Sequence, residues 1–296
     1  MQKEIAEWFR QLQNNICLEL EKADTQGRFQ EDNWVRPGGG GGKTRIFRNG
    51  LIIEKGGVNF SEVFGPATDF LRKQFNENAE SFFATGISIV IHPRNPAVPI
   101  IHMNTRYLEI GNKSWFGGGI DLTPHYIDLK DARFFHSAVK NMCDKFDPSF
   151  YPLYKKQADD YFFIPHRNET RGIGGIFFDQ LEDTKTFSKE DIFRFVKTTG
   201  ELFAPVYVEL MKRNADKIFS EREINWQRLR RGRYVEFNLV YDKGTKFGLE
   251  TNGRTESILM SLPPRADWEY DYKPEPGSQE AYTLSLLKKG VDWISE

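Results

Sequence analysis

Residues 86–110 read GISIVIHPRNPAVPIIHMNTRYLEI, and this stretch decides the fold. Apolar residues alternate with other residues on both sides of a proline-containing segment, a pattern typical of two β-strands joined by a loop. Pro93 and Pro96 cannot continue a central strand, because proline lacks the backbone donor that a sheet requires. We therefore predict a hairpin with strands at 87–92 and 100–110. Because side chains alternate between the two faces of a strand, the polar set consists of Ser88 and His92 on one face of the first strand and of His102, Asn104 and Arg106 on one face of the second.

A polar set of this kind occurs either on the solvated face of a hairpin or in a binding site. Histidine titrates near neutral pH, and the arginine guanidinium offers a rigid fork of donors to a carboxylate. These residue types favour a site over a solvated face. Whether the two strands bring their polar residues together depends on the register set by the loop, and we expect that they do.

The composition limits the class of protein. The chain has 296 residues, of which 39% are hydrophobic and 14% aromatic, and its net charge is −1. A near-zero charge argues against nucleic acid as the main partner, because binding phosphates requires a basic surface. The chain has two cysteines, which are too few for a disulfide framework. It contains no run of 18 apolar residues, so we predict no membrane span. The N-terminal residues lack the apolar core of a signal peptide, so we expect a cytoplasmic protein.

A glycine run at residues 37–44, PGGGGGKT, is similar to a nucleotide-binding P-loop. Pro37 stands where that motif needs glycine, and the preceding residues are too polar for the buried strand that the motif follows. We expect instead that the glycines let the backbone lie close to a flat ligand or to a neighbouring strand.

The rest of the chain mixes helices and strands without regular alternation. Apolar spacing predicts a helix at 3–22, and good N-caps predict helices from Asp128, Ser188 and Ser220. Residues 233–241, RYVEFNLVY, alternate in the manner of a strand, followed by a hairpin turn at 242–245 and a further strand. We predict one α+β domain over residues 1–296, with a mainly antiparallel sheet.

Several long blocks carry a resemblance to a known family. The chain resembles the oxygen-dependent coproporphyrinogen III oxidases of haem synthesis at residues 34–45, 86–107, 115–126, 159–179 and 230–264, which read WVRPGGGGGKTR, GISIVIHPRNPAVPIIHMNTRY, WFGGGIDLTPHY, DDYFFIPHRNETRGIGGIFFD and RRGRYVEFNLVYDKGTKFGLETNGRTESILMSLPP. The resemblance implies a large antiparallel sheet covered by helices on both faces, and a homodimer formed through residues 234–269. It also implies the reaction, in which two propionates of coproporphyrinogen III become vinyl groups and dioxygen accepts the electrons.

The resemblance further implies roles for individual residues. His102 matches the proton donor. The substrate-contacting positions are Ser88, Asn104, Thr105, Arg106, Asn252, Gly253 and Arg254. The positions that match a proposed divalent-metal site are His92, His102, His136 and His166. The chain departs from the family pattern at Lys243, where arginine is usual, and at Asn252, where bacterial members have glycine.

The chemistry of such a substrate explains these residue types. A flat macrocycle needs apolar walls, cations for its propionates and an acceptor for its pyrrole N–H groups. Asp242 is our candidate for that acceptor and for stabilising positive charge on the ring. We expect no organic cofactor and dioxygen as co-substrate, and the sequence leaves open whether the four histidines hold a divalent metal that activates dioxygen.

Two other functions fit parts of the pattern. A non-haem iron oxygenase would show a His-X-Asp/Glu motif with a distant histidine, but the segment His102-Met103-Asn104 lacks the carboxylate. A tetrapyrrole carrier would keep the arginines and the apolar walls without needing His102 or Asp242.

Overall fold

Seven strands form one antiparallel sheet in the computed structural model, which describes residues 1–250 and 253–295. The order across the sheet is β1-β2-β3-β4-β5-β6-β9. These strands are β1 (Phe29–Val35), β2 (Gly40–Arg48), β3 (Ile53–Pro66), β4 (Ser81–Pro93), β5 (Ile100–Ile110), β6 (Lys113–Thr123) and β9 (Gly174–Leu181). Two residues each in β7 (Phe163–Ile164) and β8 (Glu169–Thr170) pair separately from the main sheet.

The predicted hairpin is confirmed as β4 and β5, and its register brings the polar residues together. Ser88 lies opposite Asn104, and Val90 lies opposite His102. Directly opposed residues of an antiparallel pair point to the same face. We call the face that carries His102 the polar face, and the opposite one the core face.

The core face packs against helices α1 (Gln2–Asp24), α3 (Leu129–Asp144) and α5 (Lys189–Asn214). Its strand residues and the apolar stripes of these helices form one large buried cluster. The members on the strands include Phe60, Ile87, Ile89, Met103, Tyr107, Phe116, Ile120 and Phe178. Two shorter helices, α2 (Asp69–Phe75) and α4 (Phe150–Tyr161), follow β3 and α3 along the chain.

The predicted helix starts are confirmed by their caps. The Asp128 carboxylate accepts hydrogen bonds from the backbone N–H groups of Lys130 and Asp131. Ser188 and Ser220 each form a reciprocal capping box with the acidic residue three positions later. Each cap satisfies backbone donors that the first turn of a helix leaves unpaired.

The prediction of a strand at 233–241 is wrong. This segment belongs to helix α6 (Glu221–Val240), and the predicted turn and strand after it are α7 (Lys243–Glu250) and α8 (Thr255–Leu259). The buried residues Arg231, Tyr234, Phe237 and Asn238 follow helical spacing, whereas Leu239 and Val240 are exposed. The capping box at Ser220 starts the helix, and tertiary packing extends it over residues that have a high strand propensity. Packing prevails because the propensity of a single residue is a weak preference.

Helix α6 lies over the polar face. Tyr234 packs with Val90 of β4 and Ile100 of β5. Since α1, α3 and α5 cover the opposite side, the sheet has helices on both faces and the predicted α+β class is confirmed. The last described helix is α9 (Gln279–Leu286). No helix in the described part of the chain combines the length and apolar composition needed to cross a membrane.

The second half of the glycine run forms the start of a strand. Gly40–Gly42 open β2, and a Cβ atom at Gly42 would lie 2.4 Å from the Trp34 ring and 2.5 Å from the Phe60 carbonyl oxygen. The glycines therefore permit close approach of neighbouring strands, which is one of the two expected roles.

Candidate active site

One cross-strand row of residues runs across the whole polar face. Opposed positions follow one another from β1 to β9, and the middle of the row is formed by Ser88 and Asn104, both partly exposed. The neighbouring strands on either side carry glycine or small polar residues in this row. Its members in order are Asp32, Thr44, Asn59, Ser88, Asn104, Gly119 and Phe177.

Arg106 lies beside this row on β5 and holds two partners on the same face. It donates hydrogen bonds to the Asn104 side-chain oxygen at 3.0 Å and to an Asp179 carboxylate oxygen at 2.7 Å. A Cβ atom at the opposed residue, Gly117, would lie 2.5 Å from that Asp179 oxygen. A side chain at this position would therefore displace the ion pair from its present geometry. The Arg106 side chain is 36% exposed, so its remaining N–H groups can reach a bound anion.

His102 is oriented by a buried carboxylate. Its Nδ1 atom lies 2.6 Å from Oδ1 of Asp121, the opposed residue on β6. Burial alone raises the pKa of Asp121, but the charges of Arg171 and His102 outweigh this effect and hold the pKa below its usual value. An ionised carboxylate only accepts hydrogen bonds, so Nδ1 carries the hydrogen. Nε2 makes no hydrogen bond within the described residues and is available to a ligand.

Arg171 supplies the charge that balances Asp121. It donates to Asp121 Oδ2 at 2.6 Å and to the Asn238 side-chain oxygen at 3.0 Å. Its guanidinium lies 4.3 Å from the ring centre of Phe162 and 4.6 Å from that of Tyr234. Both members of the ion pair are almost fully buried, and a buried charge requires such a partner. Helix α6 therefore completes the support behind His102.

Asp242 is connected to the polar face by a hydrogen bond from Tyr161. One Asp242 carboxylate oxygen accepts the Tyr161 hydroxyl at 2.8 Å, and the other accepts the backbone N–H of Thr245 at 2.7 Å as an N-cap of α7. The Tyr161 ring stacks on Phe177, at the end of the cross-strand row, with ring centres 4.1 Å apart. The backbone N–H of Lys243 also donates to the Tyr161 hydroxyl.

Arg254 lies at the opposite end of the same row. It forms an ion pair with Asp32, and its Nη1 atom is buried without a hydrogen-bond partner among the described residues. The backbone N–H of Gly253 donates to the Gly248 carbonyl at 2.8 Å. Ser257 of α8 bonds Thr44 and Asn59 of the row. Asn252, a third predicted substrate contact in this segment, lies outside the described residues.

Thr105 does not share the face of its neighbours. It lies opposite Ile87 and Gly118, and its side chain is fully buried on the core face. Alternation along β5 separates it from Asn104 and Arg106. The substrate contact that the resemblance implies for Thr105 stays a prediction, and in this fold its backbone is the part that can lie near the polar face.

Comparison with known proteins places the chain in a family. Residues 4–293 match the family model of coproporphyrinogen III oxidase. The chain is 46% identical to an oxygen-dependent coproporphyrinogen-III oxidase of Prochlorococcus marinus, over 96% of this chain and 90% of that protein. It is 45% identical to the protein of that name from a Synechococcus species, over 96% of this chain and 85% of that one.

The chain belongs to the coproporphyrinogen III oxidase family.

The four histidines proposed as metal ligands do not meet in this member of the coproporphyrinogen III oxidase family. His136 is buried in the core, between the Tyr151 hydroxyl and the Ile173 carbonyl oxygen. Burial lowers its pKa to about 3. His92 is also fully buried, and its Nε2 atom lies 2.8 Å from the Ser261 carbonyl oxygen. Both imidazoles therefore serve the packing of the protein.

His166 is exposed and bonds the Tyr241 hydroxyl and the Glu236 carboxylate. No group of three or more His, Cys, Asp or Glu side chains within residues 1–250 and 253–295 is placed to hold a metal ion. The residues present do not fit a resident metal, so the predicted four-histidine site is corrected.

Residue patterns alone missed three members of the candidate site. Asp121, Arg171 and Tyr161 hold His102 and Asp242 in place. The sequence held one indication of Asp121, because this residue ends a glycine-rich segment that can form a strand paired with β5. Arg171 and Tyr161 had none, since their partners are distant in the chain.

Proposed function

We propose that this chain is an oxygen-dependent coproporphyrinogen III oxidase. It decarboxylates two propionates of coproporphyrinogen III to vinyl groups, which gives protoporphyrinogen IX for haem synthesis. The observation that carries the proposal is the polar face, where one cross-strand row places Ser88 and Asn104 between an arginine at one end and an aspartate at the other. The names of the relatives support the same reaction.

The electron balance requires an oxidant. Each propionate loses carbon dioxide, and the carbon next to the ring loses a hydrogen, so two electrons leave with one proton. Dioxygen takes up these two electrons, that proton and a second proton from solvent, and becomes hydrogen peroxide. The porphyrinogen ring is electron-rich and can supply these electrons directly, so no organic cofactor enters the proposal. Two propionates therefore consume two molecules of dioxygen.

Arg106 and Arg254 are the proposed partners of the substrate carboxylates. Each already holds one carboxylate of the protein and keeps further N–H groups, and Arg254 Nη1 is buried without a partner among the described residues. A substrate propionate would satisfy that donor, because a buried unpaired donor is costly. The glycines opposite Asn104 and Arg106, Gly119 and Gly117, leave a flat surface for the macrocycle.

His102 is the proposed proton-transfer group. Asp121 fixes its tautomer, so that Nε2 can accept or give a proton at the substrate. Asp242 is the proposed acceptor for pyrrole N–H groups, and its negative charge would stabilise positive charge on the ring. Tyr161 holds that carboxylate toward the polar face.

We further infer a homodimer formed through residues 234–269. This stretch exposes large apolar side chains on α6, α7 and the segment after α8: Leu239, Val240, Leu249 and Trp268. Their burial between two copies would be favourable. We expect the dimer to act in the cytoplasm.

Incubation of the full chain with coproporphyrinogen III, with and without dioxygen, tests the reaction. We expect protoporphyrin, detected by its fluorescence after chemical oxidation of the product, only in the aerobic sample. One hydrogen peroxide should accompany each vinyl group formed. Binding without turnover in both samples would indicate a carrier, and equal product without dioxygen would exclude the proposed oxidant.

A further inference from the structure

A cavity of about 130 Å³ lies beside the first half of α6, at the end of β4, and its lining is mostly cationic. One face of α6 contributes residues three or four positions apart, which point in one direction. We call it the arginine pocket. It is lined by Glu54, Arg94, Ile224, Gln227, Arg228, Arg231 and Arg265.

The buried wall of the arginine pocket is Arg231. It is 1% exposed, with Nη1 2.7 Å from a Glu54 carboxylate oxygen and Nη2 2.7 Å from the Pro93 carbonyl oxygen. Its Nε atom is buried and has no hydrogen-bond partner among the described residues. Glu54 therefore balances one guanidinium, and a donor remains unsatisfied in the pocket wall.

The other three arginines come from separate segments of the chain. Arg94 follows β4 and donates to the Gly50 carbonyl, whereas Arg228 lies 3.8 Å from the exposed Glu221 carboxylate. Arg265 is exposed and forms no ion pair with the described residues. The positive charges of arginines that line one cavity repel one another. Burial lowers the pKa of Arg231, and the charge of Arg228 lowers it further.

Four guanidinium groups around one cavity, with Glu54 as the one carboxylate in its described lining, form a site for an anion. Arginine binds oxyanions through paired N–H donors. The cavity of about 130 Å³ has room for a small tetrahedral ion. We propose that the arginine pocket binds a dianionic oxyanion of the phosphate class, either free phosphate or the phosphate group of a larger molecule. This inference is independent of the proposed reaction.

Isothermal titration calorimetry of the full chain with inorganic phosphate, and separately with glycerol phosphate, tests the proposal at constant ionic strength. We expect saturable binding of one phosphate per chain. Arg265→Ser and Arg94→Ser should each weaken it by roughly tenfold or more, because each removes a charge-assisted hydrogen bond. Arg133→Ser, which removes one exposed arginine outside the pocket, should leave the affinity unchanged. Binding of both probes identifies the phosphate group as the ligand, and binding of inorganic phosphate alone identifies the free ion.

Three results would overturn the proposal. The first is no saturable binding of either probe by the unaltered chain. The second is equal weakening in Arg133→Ser, which would indicate general attraction to a charged surface. The third concerns Arg265→Ser, whose oligomeric state is measured by sedimentation. If this variant binds no phosphate and its dimer also dissociates, the pocket holds a group of a second copy of the chain instead.

Discussion

His102 and Asp121 lie opposite each other on neighbouring strands, and a 2.6 Å contact joins His102 Nδ1 to the buried Asp121 carboxylate. The same carboxylate holds Arg171 at 2.6 Å. The strand register therefore fixes the imidazole, and a buried ion pair fixes its tautomer. This arrangement leaves Nε2 as the ring nitrogen that is available for the proposed proton transfer.

His102→Gln should lose turnover while keeping substrate. We expect kcat to fall by about 10²–10⁴-fold, the usual contribution of general acid–base catalysis, because glutamine cannot carry the proton. The dissociation constant for coproporphyrinogen III, measured anaerobically, should change by less than about threefold, roughly the energy of a weak neutral hydrogen bond, since Arg106 and Arg254 remain. Equal losses in binding and turnover would instead make His102 a binding residue.

Asp121→Asn should destabilise the fold as well as the reaction. Arg171 would stay buried without its opposite charge, and breaking a buried ion pair costs about 3 kcal/mol or more of unfolding free energy. Asp179→Asn is the matched control, because it removes a carboxylate from an arginine at the surface of the same face. That change should cost less than about 1 kcal/mol. Urea denaturation of both variants measures the difference, and similar costs would contradict the role of Asp121.

Tyr161→Phe tests whether Asp242 must be held in place. The ring can still stack on Phe177, but the 2.8 Å hydrogen bond to Asp242 is lost. We expect kcat to fall by about tenfold, the equivalent of one hydrogen bond to a charged group, with little change in KM or melting temperature. Tyr154→Phe removes a hydroxyl from the same helix on the core side and should leave kcat unchanged. A fall in melting temperature that tracks the loss of activity would indicate a structural role only.

The buried histidines predict that acid destabilises the protein. Burial lowers the pKa of His125 and His136 to about 3 and that of His92 well below its usual value. The unfolded chain takes up these protons near pH ~6.5. It therefore binds more protons than the folded state below that pH, and the unfolding free energy falls as pH falls. Each histidine contributes a slope of about 1.4 kcal/mol per pH unit.

Urea denaturation at about pH 7, 6 and 5, which spans the titration of an unfolded histidine, measures this slope. His136→Gln should reduce the slope of unfolding free energy against pH by the contribution of one histidine. Tyr151→Phe removes the hydroxyl bonded to His136 without removing a histidine, so it should change the stability but keep the slope. An unchanged slope in His136→Gln would show that this histidine is not the source.

The proposed dimer predicts different effects for two equally exposed leucines. Leu239→Asp places a charge within the 234–269 stretch, where the leucine is 46% exposed, and should shift the protein toward monomer in sedimentation equilibrium. Leu153→Asp, at a leucine that is 48% exposed on α4, should leave the dimer intact. A monomeric unaltered chain, or the same shift in both variants, would place the interface elsewhere.

The sequence by itself determined the local features of the site. Alternation in residues 100–110 placed His102, Asn104 and Arg106 on one face of their strand, because the strand period leaves no other arrangement. The register of the hairpin then set Ser88 beside Asn104. The helix starts at Asp128, Ser188 and Ser220 were equally predictable, because capping acts within three or four residues. The resemblance of long blocks to one family gave the reaction.

Only the tertiary structure decided which distant groups meet. Residues 233–240 belong to a helix because the packing of Tyr234 against the sheet and of Phe237 against Tyr161 and Phe162 outweighs a small strand preference. His92 and His136 are core residues, and Thr105 faces the core, because burial depends on what packs above each face. Asp121 meets Arg171, and Asp242 meets Tyr161, across 50 and 81 positions of the chain. Pairs of that kind depend on the whole fold, since no local pattern can encode a contact between segments that only packing brings together.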